Sequence, residues 1–188
     1  MKRVLILGRG ASGKSTLASR LSEVTGLPVI ELDKIFWQSG LNPMPRPEWV
    51  ITQQKLVSQI AWIMDGDLGS YDALDVRLQA ADSIVLLDFP LRLCAWRALK
   101  RSRERGDFWL WMVLYRWRSL PSILRLIGKQ APDADLYLLR SPHEVKEFVE
   151  RLSRQFLTHS LSANGVKSAY RTNTCLVPSH SEPDSRPL

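Results

Sequence analysis

The sequence predicts an α/β domain in which a parallel sheet is covered by helices on both faces, a three-layer sandwich. Three observations carry that expectation. Short apolar runs of strand formers alternate along the chain with segments of helical period, and strict alternation builds parallel sheets through helical crossovers. The apolar runs are nearly continuous, as strands buried on both faces are. The 188 residues, 45% hydrophobic and 24% charged, suffice for one domain with a real core and are too few for two.

The first strand is residues 4–7, VLIL, followed at once by Gly8, Gly10 and Gly13. A buried strand therefore ends in a loop free to take unusual backbone angles. Lys14, Ser15 and Thr16 then open a helix. The string GRGASGKS fits G-x-x-x-x-G-K-S/T, in which loop N–H groups cradle phosphates, the lysine reaches the terminal phosphates and the serine hydroxyl meets magnesium. Gly8, Arg9, Gly10, Ala11, Ser12, Gly13, Lys14, Ser15 and Thr16 form the expected nucleotide-binding set, with ATP and Mg2+ as cofactors. The same residues satisfy G-x-G-x-x-G with acidic Asp33 downstream, the dinucleotide fingerprint. Lys14 and Ser15 separate the two readings, because a pyrophosphate is met by backbone amides alone whereas a triphosphate with its metal calls for an ammonium and a hydroxyl.

The first helix stops near Gly26, with Pro28 beyond it. A second strand, residues 29–32, ends at Asp33, on the sheet edge where open α/β folds bind ligands. Asp33 either meets the substrate or caps the segment after it. Residues 36–49, with Pro43, Pro45 and Pro47, read as an aromatic loop, a substrate flap. A helix over residues 48–60 leads to a third strand, residues 61–64, which ends in Asp65-Gly66-Asp67. A carboxylate there suits magnesium, a hard cation that prefers oxygen. Asp65 is the first choice for that role; Asp88, after the fourth strand at residues 83–87, is the second, and it also suits a helix cap. Arg77 either reaches a phosphate or pairs with Asp75 or Asp82.

The helix after Pro90 carries Arg97, Arg101 and Arg105 on one stripe. Such a stripe is a solvated face or, beside a phosphate loop, a guanidinium clamp on the transferred group. Residues 107–127 interleave Phe108, Trp109, Trp111, Tyr115 and Trp117 with arginines. Those rings could stack on bases, lie on a membrane surface, or pack a helical arm onto the core; Phe108, Trp111 and Tyr115 share one helical face, which favours packing. A fifth strand at residues 135–139 and a last helix from Pro142 to near Phe156 complete a domain of residues 1–159, its lid at about residues 97–129. Residues 160–188, rich in Ser, Pro and Asn, read as a disordered tail.

A net charge of +7 and a pI near 9.7 suit a phosphate-rich partner, a nucleotide or a nucleic acid. No stretch is apolar enough to span a bilayer or serve as a signal, and Cys94 and Cys175, far apart, suggest neither a disulfide nor a zinc site. The expected location is the cytoplasm, with no membrane partner.

GRGASGKST, the pair Leu32-Asp33, WIMDG, DVRLQAADSIVLLDFP and the arginine helix together resemble the adenylate-kinase-like P-loop proteins known as DNA topology modulation proteins, over roughly residues 2–152. The resemblance implies a nucleotide-kinase-type P-loop fold with strand order 2-3-1-4-5, Asp65 beside Ser15, and a mobile arginine-bearing lid. Asp67 stands where the family has Asn, and the lid segment is shorter. The expected function is a magnesium-dependent phosphotransferase acting on a small acceptor, a nucleotide or nucleoside. In that reading Lys14, Arg97 and Arg101 act on the phosphoryl group and Asp33 on the acceptor, while Ser15 and Asp65 hold the metal. The alternative is a nucleic-acid-binding P-loop ATPase affecting DNA topology.

Overall fold

The structure is a computed structural model that describes residues 1–38, 42–66, 68, 72–101 and 106–171, with the side chains at 38, 101, 106, 107 and 159–171 outside the description. The elements in order are β1 (Arg3–Gly8), α1 (Lys14–Thr25), β2 (Val29–Glu31), α2 (Leu32–Phe36), β3 (Trp37–Gln38), β4 (Asn42–Pro43), α3 (Arg46–Val57), β5 (Trp62–Asp65), α4 (Leu74–Ala80), β6 (Ser83–Leu87), α5 (Leu91–Arg101), α6 (Gly106–Leu114), α7 (Ser119–Gln130), β7 (Asp135–Leu139) and α8 (Pro142–Arg171). Five strands form one parallel sheet in the order β2-β5-β1-β6-β7. With the small β3–β4 hairpin set aside, that is the expected order 2-3-1-4-5.

Alternate residues of the central strands feed opposite faces, as the two-residue period of a strand requires. Val4 and Ile6 of β1, Ile63 of β5, and Val85 and Leu87 of β6 pack with Leu17 and Leu21 of α1, Cys94 and Ala98 of α5 and Phe148 of α8. Leu5, Leu7, Met64, Ile84 and Leu86 face the other way, against Phe36, Trp49, Leu78, Ile123 and Ile127. The central runs are buried on both faces, which explains why they read as unbroken hydrophobic segments. Helix α1 ends as its sequence predicts, with Gly26 at φ 72° and its N–H donating to the Ser22 carbonyl at 2.8 Å.

Three expectations are corrected. The second strand stops at Glu31, because Leu32 and Phe36 form a buried i, i+4 pair that turns residues 32–36 into α2. Asp33 therefore lies in the first helical turn and not at a strand end. The expected loop at residues 36–49 contains the antiparallel β3–β4 pair and the start of α3, which begins at Arg46 with Pro47 in its first turn. Finally, α8 continues to Arg171 instead of ending near Phe156, since residues 157–171 hold no proline and extending an existing helix adds a hydrogen bond for each residue ordered. The rest of the expected tail, residues 172–188, lies outside the described residues, as does Cys175; Cys94 is buried and free.

Candidate nucleotide and phosphoryl-transfer site

β1 delivers the loop to the carboxyl edge of the sheet, and the backbone there is held in conformations that ordinary side chains avoid. Gly8 has φ 147° and Gly13 has φ 98°, both open to glycine and strained for other residues. Gly8 is also pressed against β6, where an added Cβ would lie 2.7 Å from the Leu87 carbonyl oxygen. Ala11 adopts φ 57°, and the Ser12 N–H closes a turn onto the Arg9 carbonyl at 3.2 Å. Gly13 caps α1 without using a side chain, so the first N–H groups of that helix remain free to meet an anion.

Two cations, Lys14 and Arg97, are held by carbonyls of the loop. Lys14 Nζ donates to the Gly8 oxygen at 3.0 Å and the Arg9 oxygen at 3.3 Å. Arg97, from α5, donates through Nη1 to the Ser12 oxygen at 3.0 Å and lies over the Phe89 ring at 5.5 Å. Burial pushes the Cys94 thiol pKa up, against the opposing pull of Arg9, Arg97 and Lys14, which gather around it. Beside the loop lies a cavity of about 450 Å3 walled by Ala11, Ser12, Thr16, Phe89, Arg97, Lys100 and Pro142, within the range of small-ligand sites.

Asp65 ends β5 in register with Ile6, two residues before the loop opens, and with Glu31 on its other side. Asp65 is 6% exposed and its Oδ1 has no hydrogen-bond partner among the described residues. A buried carboxylate oxygen without a donor suits a cation, and with the exposed Ser15 hydroxyl it offers the hard oxygen donors magnesium takes. No cluster of three or more His, Cys, Asp or Glu that could hold a metal occurs among the described residues. Such a site would therefore draw on Ser15, Asp65, phosphate oxygens and water.

The turn after Asp65 is clamped from behind. Arg77, fully buried, pairs with Asp72 and donates to the Gly66 oxygen at 3.0 Å. Gln53 Nε2 completes the set at 3.1 Å from Asp72 Oδ1. Neither Asp75 nor Asp82 is its partner; Arg77 holds the strand end that carries Asp65. Nothing in the spacing of Gln53, Asp72 and Arg77 announces this network, which joins α3, α4 and β5 only in three dimensions.

The remaining expected residues fall at different depths. Asp33 is exposed on α2. Asp88 pairs with Arg116 at 3.9 Å, whereas Asp65 keeps a buried oxygen without a hydrogen-bond partner among the described residues. Arg101 ends α5, but its side chain, like all of Arg105, lies outside the described residues. The aromatic arm packs: Tyr115 is fully buried, and Phe108 and Trp111 sit directly on the loop, where a Cβ on Gly10 would come 2.5 Å from Phe108 Cε2 and 3.0 Å from Trp111 Cζ3. Only Gly fits beneath them.

No protein-family model matches the chain, and neither does any curated protein. Solved structures do match. A shikimate kinase from Acinetobacter baumannii in complex with shikimate is 16% identical with a TM-score of 0.57, over 86% of this chain and 96% of that one. A gluconokinase from Sinorhizobium meliloti 1021 is 17% identical with a TM-score of 0.50, over 89% and 97%. A shikimate kinase from Bacteroides thetaiotaomicron is 12% identical with a TM-score of 0.51, over 82% and 97%. This chain therefore has the α/β fold of the small P-loop kinases, with their parallel five-stranded sheet.

Proposed function

We propose that this protein is an ATP-dependent phosphotransferase acting on a small acceptor. The observation that carries the reading is the loop itself: glycines in left-handed or extended forms, an uncapped helix start, and a lysine ammonium folded onto the loop carbonyls, beside a cavity large enough for a nucleoside. Fold likeness to proteins named shikimate kinase and gluconokinase agrees with it. It widens the acceptor class beyond the nucleotide or nucleoside implied by the sequence.

In this reading the free N–H groups of the loop and of the first turn of α1 bind the β-phosphate, and Lys14 leaves its two carbonyls for the β and γ oxygens. The base enters the cavity beside Phe89 and Arg97. Ser15 and Asp65 would hold Mg2+, which when bound neutralises charge on the β and γ phosphates. The acceptor oxygen bonds to the γ phosphorus as the bond to the bridging oxygen breaks and ADP departs. Asp33, on the exposed edge, takes or orients the proton of a hydroxyl acceptor. Arg97 and Arg101 spread the charge that develops on the transferred group.

A binding assay with labelled ATP on Lys14→Ala tests the reading. At least a tenfold loss of affinity or turnover is expected, with the fold retained; unchanged binding would remove it.

One observation favours the nucleic-acid-binding ATPase. Residues 91–130 hold ten basic and two acidic residues, a net charge of +8 against +7 for the whole chain, and that segment exposes Trp96 and Trp117. A basic segment that carries exposed indoles suits single-stranded nucleic acid. Affinity for oligonucleotides that falls steeply with salt, together with ATP hydrolysis that depends on them, would establish it.

A further inference from the structure

Arg9 occupies the first variable position of the phosphate loop, where the binding pattern specifies no side chain. Arg9 is nevertheless only 2% exposed, and its Nε and Nη1 have no hydrogen-bond partner among the described residues. A charge taken out of water and left without acceptors is among the most unfavourable arrangements a protein interior can hold. Its ring contact among the described residues does not relieve this. The Tyr115 ring lies 5.4 Å from the guanidinium carbon, and a ring face attracts the cation without accepting hydrogen bonds from its planar fork of donors.

Position then decides which ligand this fork awaits. The nucleoside-sized cavity is walled by Ala11, Ser12, Thr16 and Arg97, on the side of α5 and α8, and Arg9 is not part of its wall. Arg9 lies close enough to Cys94 of α5 to act on its thiol, and beside Tyr115 just after α6, whose Phe108 and Trp111 cover the neighbouring Gly10. The loop amides and Lys14 already account for the nucleotide phosphates. A group bound by Arg9 belongs to a second molecule that approaches the terminal phosphate from the α6 side.

We propose that Arg9 is the receptor for an anionic group, carboxylate or phosphate, on the phosphoryl acceptor, so that the acceptor is a small acid and not a neutral sugar or nucleoside. The inference rests on the phosphotransferase reading and narrows it. Binding would bring an anion into the planar fork by two parallel charge-assisted hydrogen bonds and neutralise the buried charge. The aromatic arm must lift from the loop to admit it.

Thermal unfolding of the full chain tests this, first with a non-hydrolysable ATP analogue and magnesium, then with matched acceptor pairs added: shikimate and its methyl ester, gluconate and glucose, adenosine monophosphate and adenosine. A rise in Tm with an acid and none with its neutral partner is expected, and which acid acts separates carboxylate from phosphate. In Arg9→Met the affinity for that acid should fall roughly tenfold to a hundredfold, with no rescue by Arg9→Lys. Without ligands, Arg9→Met should melt no lower than the parent, because it removes an unpartnered buried charge. The proposal is overturned if neutral partners shift Tm as much, if none of the acids shifts it, if the shift survives Arg9→Met, or if that variant melts lower without ligand. Absence of any shift from the nucleotide analogue would instead remove the phosphotransferase reading, and the proposal with it.

Discussion

Asp65 and Arg97 show how single residues divide the work expected of the site. Asp65 offers one open oxygen in a buried setting, so Asp65→Asn should raise the magnesium concentration needed for half-maximal activity while leaving the sheet intact; an unchanged requirement would move the metal elsewhere. Arg97 already reaches the Ser12 carbonyl of the loop, where the proposed reading has it meet the transferred group. Arg97→Ala should lower kcat roughly tenfold to a thousandfold with a smaller change in KM for ATP, and Arg97→Lys should not restore it, for want of a planar fork. A rise in KM alone would make Arg97 only a wall of the base cavity. Gly10 is a steric case, because the Phe108 ring occupies the space of its missing Cβ. Gly10→Ala should cost about 1–3 kcal/mol by overpacking and displace α6, seen as a change in tryptophan fluorescence.

Elements set the limits within which those residues act. The turn that carries Asp65 is held by α4 and α3 through Arg77, Asp72 and Gln53. Arg77→Met would leave the Asp72 carboxylate buried and unpaired, and breaking such a pair costs on the order of 3–5 kcal/mol. Urea denaturation should show that loss, and Arg77→Met with Asp72→Leu should recover part of it, since a buried ion pair replaced whole by apolar groups is often neutral. At the far end of the sheet α8 opens on a capping box: Ser141 Oγ accepts the Glu144 N–H at 3.2 Å, and Glu144 accepts the Arg140 N–H at 2.8 Å. The Arg140 N–H holds the Glu144 carboxyl pKa below its ordinary value. That cap places Pro142 and Val145 along the cavity wall, so a local helix signal also shapes the site.

Across the whole molecule the two edges of the sheet behave differently. The loop edge keeps open donors and an open carboxylate oxygen, whereas at the opposite edge a carboxylate ties backbone N–H groups together. There Asp82 accepts the Lys2 N–H at 2.8 Å, the Arg3 N–H at 2.9 Å and the Ser83 hydroxyl at 2.7 Å. Burial alone would raise the Asp82 pKa; the bonds from Ser83, Arg3 and Lys2 outweigh it and hold the pKa below its ordinary value. A lowered native pKa means that the stabilisation is present above the unfolded value, about 3.9, and is lost as pH falls through the native pKa. Asp82→Asn should therefore be less stable than the parent at pH 7, and the gap should close in denaturation curves below about pH 4. Among the described residues no helix is long and apolar enough to cross a membrane.

Much of this architecture was legible in the sequence, because its signals are local. VLIL followed by GRGASGKST announces a buried strand, a phosphate loop and a helix within thirteen residues, and the period of most later segments matches the element found. Phe108, Trp111 and Tyr115 share a helical face that the core confirms. Other features needed the tertiary structure. Leu32 and Phe36 make α2 only because a core lies beneath them, Gln53 and the Gly66 carbonyl meet the Asp72–Arg77 pair only in three dimensions, and the aromatic arm finds Gly10 from almost a hundred residues away. Arg9 is the clearest case. Its neighbours in sequence make it one more loop residue, and only the folding of α6 and Tyr115 over it turns an ordinary arginine into a buried cation without an acceptor, since desolvation depends on what surrounds a group in space.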